Sequence, residues 1–331
     1  MKVLVTGATG FIGHKFAERL ASEGHEVFAL VRKTSDKTRI PDGVQIREGD
    51  MLDEPSLKEA VKGVQAVVHF AAYFDFYPRD KGLLYRVNID GTRMLANACV
   101  GKSVERFIYC SSTEAIGPVA HPPANEESEL RPSFDYGHVK DLAEQVVRQV
   151  TKDTGLPHII LRPTGVMGEG DFYTAYEVIK ALNEREIPVL PGDGEKSIMY
   201  TYVDDVVDGF VKALTSGNAL NNTIILCPDV GIKYKDLIEF FCTCLGVKPP
   251  KRRVPTTLAM LGIGLLSPMK NRKKNTFLWH MKTVRSMDEE RTYSNEKAKQ
   301  LLGWTPKYTM QEGIKRVIDW YFANGHLQRK G

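Results

Sequence analysis

The sequence predicts an α/β fold: a doubly wound parallel β-sheet with helices on both faces, followed by a smaller, mostly helical C-terminal lobe. Three observations lead to this prediction. Short apolar runs alternate with segments of helical periodicity through the first half, which is typical of crossover units in a parallel sheet. Beyond Pro163 the alternation gives way to a stretch punctuated by proline and glycine. A chain of 331 residues also exceeds one average domain, which favours a second lobe.

The predicted elements follow one another along the chain. Residues 2–6 form a strand, and the apolar residues after it recur on one face of a helix. Each further strand is a short apolar run, at residues 26–31, 44–48, 66–70, 106–110 and 158–161. The intervening helices are predicted at residues 57–61, 83–99 and 136–152. A later helix at 203–214 precedes a strand at 222–226 that returns to the sheet.

The composition excludes several classes of protein. Lys and Arg number 45 against 41 Asp and Glu, and the net charge of +4 is too mild for nucleic-acid binding. Five cysteines indicate reduced thiols, and because Cys242 and Cys244 lack a second pair at zinc spacing, no metal is predicted. The chain enters a strand at once, so we expect no signal peptide, and no apolar run approaches the roughly 20 residues that span a bilayer. We therefore expect a cytoplasmic protein.

A glycine-rich turn joins the first strand to the first helix, with the spacing G-x-x-G-x-x-G. Glycines allow a tight turn and close approach to a pyrophosphate, and the helix N-terminus offers N–H donors to phosphates. A plain strand-to-helix turn is the alternative, but the position between a clear strand and a clear helix favours a dinucleotide. The predicted fold is therefore Rossmann-type. The predicted cofactor contacts in this turn are Gly7, Thr9, Gly10, Phe11, Ile12 and Gly13.

The end of the second strand indicates which dinucleotide is bound. An NAD site needs an acid there for the ribose 2′-hydroxyl, whereas an NADP site needs cations for the 2′-phosphate. This strand ends in Arg32 and Lys33, with no acid before Asp36, and the planar guanidinium of Arg32 suits a phosphate. A solvated surface arginine is the alternative. The missing acid favours NADP over NAD.

Two further strand ends supply predicted walls for the cofactor. Asp50, followed by Met51 after the third strand, can accept a hydrogen bond from the adenine amino group. Ala71 and Ala72, after the fourth strand, are small enough for the cofactor to lie across the sheet edge. Residues 1–163, with 202–230 returning to them, are thus predicted to bind NADP, and residues 164–201 and 231–331 to form the substrate lobe.

A tyrosine and a lysine one helical turn apart suggest catalysis. Tyr136 and Lys140 share one helix face, and a nearby ammonium lowers the pKa of a phenol, which is ordinarily about 10. Ser112 ends the preceding strand, at the edge where a parallel sheet binds ligands. Its hydroxyl can hold a substrate oxygen while tyrosine transfers a proton. Two residues on a helix surface are the alternative, but the order of glycine turn, serine, tyrosine and lysine favours an enzyme.

Nine stretches of the chain together resemble the extended short-chain dehydrogenase/reductases, and they cover nearly its whole length. They read VTGATGFIG, GDMLD, VVHFAA, VNIDGTRML, FIYCSSTEAIGP, YGHVK, LRPTGVMGEGD, YTYVDDVVDGF and YSNEKAKQLLGWTP. The resembled group includes dihydroflavonol reductases, 3β-hydroxysteroid dehydrogenases and sugar-nucleotide epimerases.

The resemblance implies roles for individual residues. It makes Tyr136 the general acid/base, Lys140 its partner and Ser112 the catalytic serine, with Thr113 a weaker candidate. It places Pro163 and Val166 on the nicotinamide side of the cofactor. It also implies that Asn88 is a structural asparagine. It also implies a homodimer formed through the helices at 83–99 and 136–152.

The loop after the fourth strand suggests an apolar substrate. It reads Tyr73-Phe74-Asp75-Phe76-Tyr77, and four aromatics near the expected mouth of the site favour a ring-containing molecule. Packing of some of these rings in the core or a subunit interface is the alternative. The predicted substrate contacts are Tyr73, Phe74, Thr113, Glu114 and Met167.

An apolar stretch at residues 258–266 lies between two basic clusters in the second lobe. One cluster precedes it and one follows it: Lys251, Arg252 and Arg253, then Lys270, Arg272, Lys273 and Lys274. Such a stretch can touch a membrane surface or guide an anionic substrate. A buried helix with solvated ends is the interpretation that we favour.

The leading functional hypothesis is an NADP(H)-dependent oxidoreductase that interconverts a carbonyl and a secondary alcohol on a hydrophobic, steroid- or flavonoid-like small molecule. The first alternative is a nucleotide-sugar epimerase or dehydratase that retains NAD. It needs arginines for a diphosphate, and the candidates in the second lobe are Arg252, Arg253 and Arg285. A non-enzymatic NADP sensor is disfavoured because both Tyr136 and Lys140 are present.

Overall fold

The protein is described by a computed structural model that covers residues 1–270 and 277–329. Its first strands are β1 (Lys2–Thr6), β2 (Glu26–Val31), β3 (Gln45–Glu48), β4 (Ala66–His69), β5 (Arg106–Cys110) and β6 (His158–Pro163). The later ones are β7 (Gly165–Met167), β8 (Val189–Pro191), β9 (Ser197–Ile198), β10 (Tyr200–Tyr202), β11 (Asn222–Leu226), β12 (Ile232–Lys233) and β13 (Arg252–Val254).

The helices alternate with these strands. Those of the first half are α1 (Phe11–Ser22), α2 (Glu54–Ala60), α3 (Lys81–Tyr85), α4 (Gly91–Cys99) and α5 (Asp135–Thr154). Those of the second half are α6 (Thr174–Asn183), α7 (Val203–Ala213), α8 (Tyr234–Leu245), α9 (Thr256–Lys270), α10 (Met281–Ser286), α11 (Glu296–Leu302) and α12 (Met310–Ala323). The predicted helix at 83–99 is divided by a π-helical turn, Arg86–Asp90, between α3 and α4.

The main sheet confirms the predicted fold class. Within the described residues it has seven strands in the order β3-β2-β1-β4-β5-β6-β11, and every neighbouring pair is parallel. The chain reverses direction across the sheet between β1 and β4, whose ends Thr6 and His69 lie in register. Ligands of an open parallel sheet bind in the crevice at such a reversal.

Alternating strand residues build a core on each face of the sheet. Val3 and Val5 of β1 pack with Phe16 of α1 and with α7 on one face. Leu4, between them, packs on the other face with apolar residues of α2, α4 and α5. Because side chains alternate along a strand, a fully apolar strand such as β1 needs helices on both sides. This doubly covered sheet fixes the strand ends that form the site.

The second lobe has its own core, built chiefly by α6, α8 and α12. The stretch at 164–201, which the sequence predicts as loop-rich, also contains α6 and four short strands. These strands pair locally, β7 with β10, β9 with β12 and β8 with β13. β7 follows directly from β6, and β10 leads directly into α7, so the lobe is joined to the sheet at the carboxyl end of β6.

Helix α9 contradicts the buried helix expected for residues 258–266. Leu258, Leu261 and Leu265 are all exposed, and no residue from 256 to 267 is buried. A run of apolar residues looks the same in sequence whether a neighbour covers it or not. In the basic cluster that follows, Arg272, Lys273 and Lys274 lie outside the described residues, and Lys270 ends the helix. No helix in the described part of the chain is long and apolar enough to cross a membrane.

Candidate active site

The glycine turn between β1 and α1 packs so closely that a side chain at Gly7 or Gly13 would collide with neighbouring backbone. Gly7 has φ +76°, and a Cβ there would lie 2.7 Å from the Ala71 backbone nitrogen. A Cβ on Gly13 would lie 2.3 Å from the Gly7 carbonyl oxygen. Gly10, which precedes α1, provides no side-chain cap, so the first N–H groups of that helix are open to a ligand. The turn therefore fits a pyrophosphate.

Buried hydrogen bonds brace the two strand ends beside this turn. The Ala71 N–H donates to Thr6 Oγ1 at 3.1 Å, and Thr6 Oγ1 lies 2.7 Å from His69 Nδ1. His69 Nε2 lies 3.0 Å from Thr92 Oγ1, which itself donates to the Asn88 carbonyl. Burial lowers the pKa of His69 to about 3, so its ring is neutral and structural.

A cavity of about 500 Å³ runs along the carboxyl ends of the central strands. It is lined by every residue predicted for the cofactor, the substrate or catalysis except Lys33 and Met167. Met167 packs in the core of the second lobe, because successive side chains of β7 alternate and its neighbour Val166 faces the cavity. Lys33 is exposed beside the cavity, with Arg32 at the rim.

Tyr136 and Lys140 lie on adjacent turns of α5 and are both buried. The Lys140 Nζ donates to the Cys110 carbonyl oxygen at 2.7 Å and lies 5.6 Å from the centroid of the Tyr136 ring. Burial raises the pKa of the Tyr136 phenol well above its ordinary value, and burial lowers the pKa of Lys140. The lowered tyrosine pKa predicted from the lysine is therefore not found, because desolvation of the phenol is the larger effect.

The three hydroxyl residues after β5 have different surroundings. Ser111 donates to Glu144 Oε1 at 2.5 Å, inside a buried cluster with Arg162. Thr113 is buried beside Tyr293. Among the described residues, Ser112 Oγ accepts one hydrogen bond, from the Glu114 N–H at 3.1 Å, and its own hydrogen can be donated into the cavity that it lines. Of the three, the geometry favours Ser112 for contact with a substrate oxygen.

Aromatic rings line the part of the cavity around Tyr136. The ring of Phe74 lies 4.7 Å from that of Tyr136, and the ring of Phe76 lies 5.1 Å from that of Phe277. Tyr73 also lines the cavity, whereas Tyr77 stacks on His280 and bonds Thr283, away from it. The sequence did not reveal Phe134, Tyr173 or Phe277 as members of this wall, since they come from distant parts of the chain.

The cavity also contains an ion pair that the sequence did not indicate. The Arg291 Nη1 donates to Glu114 Oε1 at 2.8 Å, and its Nη2 donates to Glu289 at 3.1 Å. Arg291 is 5% exposed and lines the cavity, whereas Arg252, Arg253 and Arg285, the candidates from the sequence, do not. The only sequence signal is its position two residues before the YSNEKAKQLLGWTP stretch.

The fold and this site define a class: an NAD(P)-dependent enzyme of the short-chain dehydrogenase/reductase type that acts on a hydroxyl or carbonyl group. The chain belongs to the NAD dependent epimerase/dehydratase family, whose model matches residues 3–227.

Three curated relatives align with nearly the whole chain. The 3beta-hydroxysteroid-dehydrogenase/decarboxylase isoform 1 of Arabidopsis thaliana is 27% identical, over 96% of this chain and 78% of its own length. The decarboxylating sterol-4-alpha-carboxylate 3-dehydrogenase of Mus musculus is 27% identical, over 96% of this chain and 90% of its own. A putative dihydroflavonol 4-reductase of a Synechocystis species is 28% identical, over 98% and 95%.

Solved structures share the fold over the full length. The protein gox2253 superimposes with a TM-score of 0.83 at 30% identity, covering 98% of this chain and 99% of its own. The UDP-glucose 4-epimerase of Thermotoga maritima superimposes with a TM-score of 0.79 at 24% identity, over 98% and 99%. The second likeness concerns the fold alone.

Proposed function

We propose that this enzyme interconverts a carbonyl and a secondary alcohol on a ring-containing, steroid-like molecule, with NADP(H) as its cofactor. The observation that carries the proposal is the aromatic wall that reaches the Tyr136 ring. Phe74 and Phe76 both lie within 5.7 Å of that ring, centroid to centroid. Apolar rings offer a flat hydrophobic molecule a large contact area beside the group that transfers the proton. The names of the sterol-related proteins support the same substrate class.

The residues that line the cavity fit the cofactor, and different residues among them bind the cofactor, bind the substrate oxygen and transfer the proton. The glycine turn, Asp50 and Arg32 would hold the dinucleotide, which when bound supplies or accepts a hydride. Ser112 donates a hydrogen bond to the substrate oxygen. Tyr136 is protonated at neutral pH because burial raises its pKa, so its phenol can donate a proton to the oxygen of a carbonyl that is being reduced. Lys140 Nζ lies 5.6 Å from the centroid of that phenol ring and is fixed by the Cys110 carbonyl, to which it donates a hydrogen bond.

The charge at the end of β2 supports NADP. Arg32 lines the cavity rim, and in the described chain no ion pair or hydrogen bond engages its guanidinium. Asp36, the first acid after the strand, accepts hydrogen bonds from the Thr38 N–H and hydroxyl and does not line the cavity. A 2′-phosphate therefore meets a free guanidinium and no facing carboxylate.

The nucleotide-sugar alternative needs cations for a diphosphate. Arg291 is well placed in the cavity, but its guanidinium already faces two carboxylates, Glu114 and Glu289. A diphosphate would add further negative charge to a region in which the cation is already neutralised. The arrangement supports a neutral or weakly charged substrate instead.

A substrate panel tests the proposal. The purified enzyme is incubated with NADPH and a 3-ketosteroid, with NADP⁺ and a 3β-hydroxysteroid, and with UDP-glucose without added cofactor, and nicotinamide absorbance and products are followed. We expect cofactor-dependent turnover of the steroids and none of the sugar nucleotide. Epimerisation of UDP-glucose without added cofactor, or no turnover of any steroid, would refute the proposal.

A further inference from the structure

Helix α9 presents an apolar face to solvent. Leu258, Leu261 and Leu265 are spaced by three and four residues, so they share one face of the helix. They are 56%, 66% and 80% exposed. Leaving such a face in water forgoes the free energy that its burial would release, and a contiguous exposed apolar surface marks an interaction site. This exposed face is therefore suited to binding a partner that offers an apolar surface or interior.

The chain around α9 is strongly basic. Residues 240–287 contain ten Lys and Arg and no Asp or Glu, which leaves 35 basic and 41 acidic residues for the rest of the chain. Lys251, Arg252 and Arg253, directly before the helix, are all exposed. In the sequence, positive charge is thus concentrated on both sides of one apolar helix, whose first residue, Thr256, donates a hydrogen bond to the carboxylate of Asp288. A binding partner that matched this region would therefore be anionic as well as apolar.

Helix α9 lies one layer outside the candidate active site. It packs on α10 and on the 3₁₀ turn Phe277–Trp279. Phe277 lines the main cavity and also a smaller one of about 230 Å³, and Tyr173 lines both as well. A partner bound to α9 would therefore lie only one turn of chain, Phe277–Trp279, away from the aromatic wall of the main cavity.

We propose that α9 docks on the surface of a membrane that contains anionic phospholipids. The leucine face enters the headgroup region, and Lys251, Arg252 and Arg253 pair with lipid phosphates. The 15 residues of α9 extend roughly 22 Å, shorter than the roughly 30 Å hydrocarbon core, so the helix lies along the surface. In this position the enzyme would meet a hydrophobic substrate where it is dissolved.

A second copy of the chain is the competing occupant. A two-fold contact through α9 would place the same basic cluster on both sides of the interface. Like charges at close range repel, and the single negative charge of Asp288, which accepts a hydrogen bond from Thr256 at the start of α9, offsets only part of them. The charge therefore favours lipid over self-association.

Vesicle sedimentation tests the proposal without any substrate, so failure of the proposed reaction would leave its outcome unaffected. The full chain is mixed with vesicles of phosphatidylcholine alone or with about one third phosphatidylserine. We expect the protein to sediment with the anionic vesicles, and we expect salt to weaken this binding. Partitioning onto vesicles without phosphatidylserine should be at least about tenfold weaker. The triple variant L258E/L261E/L265E and the variant K251A/R252A/R253A should each lose at least about tenfold in partitioning.

Matched variants change similar residues elsewhere on the surface. Val230→Glu alters another exposed apolar residue, and K58A/K62A/K102A removes three exposed lysines, and both should sediment like the unchanged protein. Folding of each variant is checked by circular dichroism. Absent sedimentation, or equal sedimentation with both vesicle types, would overturn the proposal. The proposal would also be overturned if the unchanged protein formed a dimer that bound no vesicles and the leucine variant were a monomer. That result would identify a second copy of the chain as the occupant of the leucine face.

Discussion

The ring of Phe74 meets the ring of Tyr136 edge-on, with centroids 4.7 Å apart and planes inclined by 77°. Phe74 lies in the loop after β4 and Tyr136 lies on α5, so the contact joins the predicted substrate loop to the predicted catalytic helix. Phe74 also contacts Tyr173 near the start of α6 in the second lobe, at 5.0 Å. A hydrophobic molecule that packs on Phe74 would therefore be bound beside the phenol, and the following predictions test this arrangement.

Replacing Tyr136 by phenylalanine should strongly reduce catalysis and keep the fold. The ring contact with Phe74 persists, but the proton donor is lost, so kcat should fall about 100- to 10,000-fold. Binding of NADPH, measured by fluorescence titration, should change little. The control is Tyr85→Phe, which alters an exposed tyrosine outside the cavity. A Tyr136→Phe enzyme with unchanged kcat would refute the proposed role.

Phe74→Ala should weaken the binding of hydrophobic substrates. The change removes apolar contact area from the wall, so KM for a steroid should rise about tenfold with a smaller change in kcat. The matched control is Phe172→Ala, since Phe172 is similarly exposed at 45% against 36% for Phe74 but lies outside the main cavity. Equal effects of the two variants on steady-state kinetics would contradict the assignment of the wall.

Arg32→Ala should reverse the preference for NADPH. Loss of the guanidinium removes its charge-assisted hydrogen bonds to the 2′-phosphate, so kcat/KM for NADPH should fall about tenfold or more while that for NADH is kept. Lys33→Ala is the matched control, because Lys33 is the exposed neighbour that does not line the cavity. If Arg32→Ala changes both cofactors alike, the selectivity lies elsewhere.

The sequence predicted those parts of the site that depend on local pattern. The glycine turn, Tyr136 and Lys140 each lie within one or two adjacent elements, and periodicity alone places them at the sheet edge. Arg291 and Phe277 reach the cavity only through the packing of the second lobe, over separations of more than 130 residues from Tyr136. The exposure of α9 could not be predicted for the same reason, since it depends on which neighbours are absent from its outer face.

Alanine variants of Ser112 and Ser111 should differ, because the first should chiefly lower kcat and the second should chiefly lower stability. Ser112→Ala should lower kcat about 10- to 100-fold, because the donor to the substrate oxygen is lost, and should cost about 0.5–1 kcal/mol of the free energy of unfolding, because only the hydrogen bond from the Glu114 N–H is lost. Ser111→Ala removes a donor to the buried Glu144 and should cost about 1–3 kcal/mol of the free energy of unfolding with kcat largely kept. Urea denaturation and kinetics on both variants make the comparison. The opposite pattern would exchange the two roles.

Asp171 should make stability depend on pH. Its carboxyl is buried, with one oxygen accepting the Tyr173 N–H at 2.9 Å, and burial raises its pKa from 3.8 to about 7. Between these two values the unfolded chain releases a proton that the folded chain keeps, so the group's contribution to stability is full below pH 3.8 and is lost as pH rises through 7.

Asp171→Asn keeps an oxygen acceptor for the Tyr173 N–H but removes the titration. Relative to the unchanged protein, the variant should therefore gain about 1.4 kcal/mol of unfolding free energy per pH unit between about pH 4 and pH 7, and nothing more above it. Urea denaturation of both proteins at several pH values measures this difference in unfolding free energy. The buried His69 and His158 make stability rise with pH, but they do so equally in both proteins, so their contribution cancels in the difference. Asp193→Asn is the matched control, because Asp193 accepts the Glu195 N–H in the same local arrangement but is exposed. A pH-independent difference for Asp171→Asn, or an equal gain in the control, would show that burial of this carboxyl does not govern the effect.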